Sequence, residues 1–96
     1  WIPITALQDQ LVINVGDMLE RLTNRKLKST IHRVVNPPKS LMNVPRYSIP
    51  FFLHPRSEMS LAALPGCVDQ ENARRWEDIS AGEFLDQRLR EIGLKK

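Results

Sequence analysis

Cysteine is nearly absent. Cys67 is the single one in 96 residues, so no disulfide can close within the chain, and a reducing, cytoplasmic setting is expected. No apolar stretch approaches the ~18 residues that span a bilayer. The opening Trp1-Ile2-Pro3-Ile4-Thr5 has neither a basic leader nor a long apolar core. An initiator methionine is missing too, and a chain that opens on Trp is expected to be part of something longer. Aromatics make up only 6% of the residues. What is present, 42% apolar and 26% charged, is an ordinary globular composition, which excludes wholesale disorder, collagen and low-complexity classes. At this length there is one domain at most, burying roughly 60–65% of its unfolded surface.

Acidic residues are missing where basic ones gather. Between Arg21 and Arg46 lie seven cations (Arg21, Arg25, Lys26, Lys28, Arg33, Lys39, Arg46) and no Asp or Glu, although the net charge is only +3. Such a stretch serves as a solvated edge, as a pocket for a small carboxylate or phosphate, or as a nucleic-acid surface. Nucleic-acid binding calls for interleaved aromatics, and the stretch holds none before Tyr47. The solvated edge is the plainest reading, and no nucleic-acid or membrane partner is expected.

Leu11-Val12-Ile13-Asn14-Val15 is a short β-branched run ending at Gly16, which reads as a strand covered on both faces. Asp17 and Glu20 have capping-box spacing at the head of a short helix on which Met18, Leu19 and Leu22 share a face. Asn24 is a left-handed stop for that helix. Leu27 to Val35 returns to extended character and ends at Asn36-Pro37-Pro38. Arg46 to Leu53 is strand-like, with Pro50 confining it to an edge or bulge. Ser80 and Glu83 form a second capping box, Leu85, Leu89 and Ile92 line one helix face, and Gly93 ends it. Three or four strands are too few to close a barrel or build a sandwich. The expectation is one half of a β-sandwich or jelly roll, its other half preceding Trp1.

Two segments carry candidate chemistry. Alternation along Ser29 to Val35 puts Thr30, His32 and Val34 on one face and Ile31, Arg33 and Val35 on the other. On position alone, His32 reads more readily as a hydrogen-bonded core residue than as a ligand. His54, before Pro55, reads as a loop residue, and no Cys/His cluster has zinc spacing. Arg46 and Ser48 share a strand face that Pro50 and Phe52 continue. A guanidinium fork beside a hydroxyl, shielded by an aromatic, suits the carboxylate of a small molecule. An arginine bonding a loop carboxylate is the plainer alternative for Arg46 in isolation.

Taken together, His32-Arg33-Val34 followed by Arg46-x-Ser48 resembles the C-terminal half of the iron(II) and 2-oxoglutarate-dependent oxygenases, in the isopenicillin-N-synthase-like branch. Asn14-Val15-Gly16-Asp17-Met18 with Thr23-Asn24 is similar to the strand and short helix that precede the family's histidine. Lys28-Ser29-Thr30 leads into His32 as the family does, and Ser48-Ile49-Pro50-Phe51-Phe52 matches the end of its Arg-x-Ser strand. The helix from Gly82-Glu83 to Arg88-Leu89 resembles the family's C-terminal helix. The likeness is weakest between Arg56 and Ile79.

The resemblance implies a mainly β fold: a partial double-stranded β-helix (jelly roll, cupin-like) with a short internal helix and a C-terminal helix. Residues 1–55 would be its strands and residues 56–96 a loop and the terminal helix. The family binds iron(II) through two histidines and a carboxylate. His32 would be the second histidine ligand. Arg46 and Ser48 would take the distal carboxylate of 2-oxoglutarate, and alternation adds Phe52 to the substrate pocket. The implied cofactors are Fe(II), 2-oxoglutarate and O2, and the partner is a small organic substrate oxidised at a C–H bond, with succinate and CO2 released. The His-x-Asp that completes the iron site is expected in an N-terminal part of the same domain, so this piece alone is expected to be inactive. Two rivals stand beside this: an oxidase of the same branch that uses no 2-oxoglutarate, and a catalytically dead jelly-roll binding module. The connection from His32 to Arg46 is longer than in plant relatives, with Asn36 to Pro45 forming an extra loop, and resembles that of the bacterial members.

Overall fold

Asp17-Met18-Leu19-Glu20-Arg21-Leu22 forms helix α1 (Asp17–Leu22) in the computed structural model, which describes residues 1–96. Its N-cap is Gly16, in an extended conformation with no side-chain cap. The expected Asp17–Glu20 capping box is therefore absent. Asp17 already lies inside the first turn, where a carboxylate still complements the helix dipole. Its charge pairs with Arg88 at 3.5 Å, and that of Glu20 with Arg25 at 3.3 Å. Thr23 Oγ1 donates to the Leu19 carbonyl at 2.8 Å, and Asn24 and Arg25 then turn the chain in the left-handed region, at φ 46° and 68°.

Helix α2 (Ala81–Glu91) starts as its sequence dictates. Ser80 Oγ accepts from the Glu83 N–H at 3.2 Å, and the Glu83 carboxylate accepts from the Ser80 N–H at 3.1 Å. Gly93, at φ 78°, ends it. Single 3-10 turns stand at Lys39–Leu41 and Pro65–Cys67.

Packing is confined to α1 and the turn after it, α2, and the chain between about Ser57 and Ser80. Leu61, Ala81 and Phe84 are buried together, with Met18, Leu22 and Ile79 against them. An antiparallel bridge between Ser60 and Ser80 aligns the two segments, through Leu61 N–H to Ile79 O and Ala81 N–H to Met59 O, both 2.8 Å. Gly82 permits this approach, since a Cβ there would lie 3.0 Å from Ser57 Cβ. The Leu64 N–H donates to the Leu22 carbonyl at 2.9 Å and ties α1 to the same body. The buried face of α2 is thus Ala81 and Phe84 rather than the anticipated Leu85, Leu89 and Ile92; Ile92 is 66% exposed.

The mainly β, jelly-roll expectation for residues 1–55 is overturned. The bridge at Ser60 and Ser80 is the sole β pairing, and no ladder forms. The physical reason is that alternation specifies which faces of a strand want cover but supplies no partner. The runs around Leu11–Val15, Leu27–Val35 and Arg46–Leu53 do not hydrogen-bond one another. Their apolar side chains stay open, with Ile13 at 90% and Ile49 at 93% exposure. The radius of gyration, 17.1 Å, exceeds the ~12.5 Å of a compact domain of this length. No helix is long and apolar enough to cross a membrane.

The α2 cap gives a pH signature. Hydrogen bonds from the Ser80 backbone and side chain hold the Glu83 carboxyl below its ordinary value. A depressed carboxyl contributes its stability above the unfolded pKa, ~4.3 for Glu. That contribution is lost as pH falls through the lowered folded value. Glu83→Gln should remove this acid-side dependence, so the melting temperatures of variant and parent should converge at low pH. Parallel thermal melts across the acid range check it; a constant gap at every pH would refute the cap's role.

Candidate functional site

His32 lies on the segment that leaves the Thr23–Asn24 turn, and it is exposed. Its Nδ1 sits 3.0 Å from the Thr30 carbonyl oxygen. A carbonyl only accepts, so Nδ1 is the donor in this contact, and in the neutral ring the Nε2 lone pair is the one available. An imidazole fixed in this way is the form that binds a metal, its other nitrogen oriented by a backbone carbonyl. The neighbouring Arg33 turns elsewhere, its guanidinium lying 4.5 Å from the centre of the Trp1 ring.

Arg46 and Ser48 are exposed and make no hydrogen bond or ion pair with any side chain or carbonyl of the chain. The alternative of an arginine bonding a loop carboxylate is not met within these residues. Four cations of the basic stretch are engaged, Arg21 with Trp76 and Phe84, Arg25 with Glu20, Lys26 with Asp69 and the Gly66 carbonyl, and Arg33 with Trp1, whereas Lys28 and Lys39, like Arg46, have no such partner. Phe52 is 75% exposed, and its ring stands 6.0 Å from that of His54.

The four residues are therefore not joined by contacts of their own. His32, Arg46, Ser48 and Phe52 share no hydrogen bond, ion pair or ring contact. No three His, Cys, Asp or Glu side chains come together in a way that could hold a metal ion. As a donor set, the chain offers one imidazole whose Nδ1 meets a backbone carbonyl, and an unengaged guanidinium and hydroxyl. That set fits one position of an iron(II) site and one end of a dicarboxylate.

Two further groups escaped sequence reasoning. Arg21 lies between the rings of Trp76 and Phe84, at 5.5 and 5.2 Å, and Arg88 covers Phe84 at 5.1 Å. Burial first, and then the Arg88 charge, lowers the pKa of Arg21. Asn24, read from sequence only as a helix stop, is fully buried and bonds to the chain around Cys67–Arg75. The available signal was its residue type, because a left-handed turn without a polar partner is served as well by Gly.

The family model of the 2OG-Fe(II) oxygenase superfamily matches residues 1–55. Over 90 residues the chain is 32% identical to a probable flavonol synthase 5 of Arabidopsis thaliana, covering 94% of this chain and 26% of that protein. It is 31% identical over 99 residues to the 2-oxoglutarate-dependent dioxygenase lolO1 of Epichloe uncinata, covering 91% of this chain and 27% of that one. A crystal structure of a 2OG-Fe(II) oxygenase family protein from Caulobacter crescentus superposes with a TM-score of 0.91 at 59% identity, over 96% of this chain and 30% of that chain. The chain thus spans about a quarter of the length of these curated relatives. With more than half of its residues inside the family match, the chain belongs to the 2OG-Fe(II) oxygenase superfamily.

Proposed function

We propose that these residues are the C-terminal part of the catalytic domain of a 2-oxoglutarate-dependent dioxygenase that oxidises a C–H bond of a small organic substrate. The observation that carries this is the family match over residues 1–55, the span that contains His32, Arg46 and Ser48. His32 would hold iron(II) through Nε2, with the remaining ligands supplied by another part of the domain. Iron(II), when bound, supplies the redox chemistry by which O2 oxidises 2-oxoglutarate to succinate and CO2 and the substrate at carbon.

The chain's own residues have simpler tasks. The Thr30 carbonyl keeps the proton on His32 Nδ1, so the ligand nitrogen never competes for it. Arg46 presents two N–H groups in parallel to one carboxylate of 2-oxoglutarate, and Ser48 donates a third hydrogen bond. Together they fix the dicarboxylate by the end that does not react. Phe52, on the same alternating face, excludes water beside them.

Succinate release by the full-length protein, dependent on both 2-oxoglutarate and iron, tests the reading. Its absence with every candidate substrate, alongside O2 consumption without 2-oxoglutarate, would move the protein to the oxidase reading. The 96-residue chain alone should release none, since it brings no three metal-binding side chains together.

Arg46→Ala in the full-length protein should raise the apparent KM for 2-oxoglutarate and leave kcat much less changed. A charged hydrogen-bonded contact is worth about 1.5–3 kcal/mol, which corresponds to roughly 10- to 150-fold. Steady-state kinetics with 2-oxoglutarate as the varied substrate measure it, and an unaltered KM would remove Arg46 from that carboxylate.

A further inference from the structure

Asn24 is a polar side chain with no solvent exposure, held at φ 46° in the left-handed region. Its Nδ2 lies 3.3, 3.1 and 3.1 Å from the carbonyls of Cys67, Asn72 and Ala73, and its Oδ1 accepts from the Arg75 N–H at 3.0 Å. The carboxamide of Asn72 answers, donating to the Asn24 carbonyl at 3.1 Å and to that of Cys67 at 2.9 Å. Lys26 adds a contact from the same turn, its Nζ 3.0 Å from the Gly66 carbonyl. A helix stop needs none of this. The reciprocal pair clasps residues 66–75 to the turn from which the segment carrying His32 departs.

That segment has little else within the chain to set it. The Leu27 N–H donates to Thr23 Oγ1 at 3.1 Å, and from Lys28 to Pro37 no backbone–backbone hydrogen bond follows. Apart from the Arg33–Trp1 contact, the start of the segment is where the chain holds it. Along an alternating segment, a slip of one residue exchanges His32 for Arg33 on a given face. A site needing Nε2 of His32 would then meet a guanidinium.

We propose that Asn24 is a positioning residue for His32: its clasp with residues 66–75 fixes the register in which the Leu27–Val35 segment presents the imidazole. This rests on His32 being a metal ligand, as proposed above. The test uses the full-length protein and cobalt(II) alone, followed by its visible absorption, without 2-oxoglutarate or substrate. Asn24→Gly keeps the left-handed backbone unstrained and deletes only the carboxamide. It should weaken cobalt(II) binding by about 10-fold or more, in the range seen when an outer partner of a metal ligand is lost, and alter the spectrum. Leu61→Val, in the buried cluster but outside the clasp, supplies a melting-temperature loss without that change. Wild-type cobalt affinity in Asn24→Gly, or a loss no greater than that of Leu61→Val at equal Tm, would overturn the proposal. His32→Ala separates the two readings. If it too retains wild-type affinity, the ligand assignment fails; if it alone loses affinity, only the positioning role fails. Should Asn24→Gly not fold, Asn72→Ala, which removes the reciprocal carboxamide, is read by the same criteria.

Discussion

His32→Ala in the full-length protein should abolish iron-dependent succinate release. The effect should exceed the ~10- to 100-fold that accompanies loss of an outer-shell partner, because a ligand itself is removed. Two observations set that expectation. The family match spans His32, and the Thr30 carbonyl engages its Nδ1 at 3.0 Å, so Nε2 is the nitrogen left for a metal. His32→Gln gives a sharper version, since a carboxamide keeps bulk and polarity but binds a divalent metal poorly in place of imidazole. Turnover should fall to background in both variants, with metal affinity falling in parallel in a direct titration. Full activity with unaltered iron affinity would remove His32 from the metal site and leave the family membership without its expected ligand.

The cap of α2 shows where sequence was sufficient: Ser80 and Glu83 satisfy each other across three residues without help from elsewhere. The candidate donors were another matter, since position alone read His32 as a core residue and Arg46 as the partner of a loop carboxylate, and only the resemblance carried by His32-Arg33-Val34 followed by Arg46-x-Ser48 nominated them. The α1 cap was misread because Asp and Ser look alike at the start of a helix. Gly16 took the cap, and Asp17 found a more distant partner in Arg88.

What needs a second segment was illegible. The period along Leu11–Val15 and Arg46–Leu53 states a demand for neighbours, and these residues contain no segment that answers it. Asn24 is the opposite case, in which local sequence suggested a lone turn and distant residues gave it a crowded environment. Neither the presence of a partner nor its absence can be read from the pattern of one segment.

The same limit decides the second large effect, Phe84→Ala. The α2 periodicity nominated Leu85, Leu89 and Ile92, yet Phe84 at 4% exposure is the residue that closes the buried cluster with Leu61 and Ala81. Truncating a buried Phe costs about 3–5 kcal/mol. Here the ring also carries Arg21 on one contact and Arg88 on another, at 5.2 and 5.1 Å. Without it, the partly buried Arg21 guanidinium keeps its proximity to Arg88 and is left with Trp76 and the Glu77 carbonyl as partners. The loss should therefore sit at or above the upper end for a plain cavity. Against a whole-protein stability of about 5–15 kcal/mol, α2 should undock before the rest unfolds. Hydrogen exchange of the full-length protein should show this as lost protection across Ala81–Glu91 and at Leu61, whose N–H bonds to Ile79. Ile92→Ala, at a site 66% exposed, should stay within about 0.5 kcal/mol of the parent. If the two variants instead cost the same, the packed face of α2 is the one its periodicity named, and the cluster around Phe84 does not hold the helix.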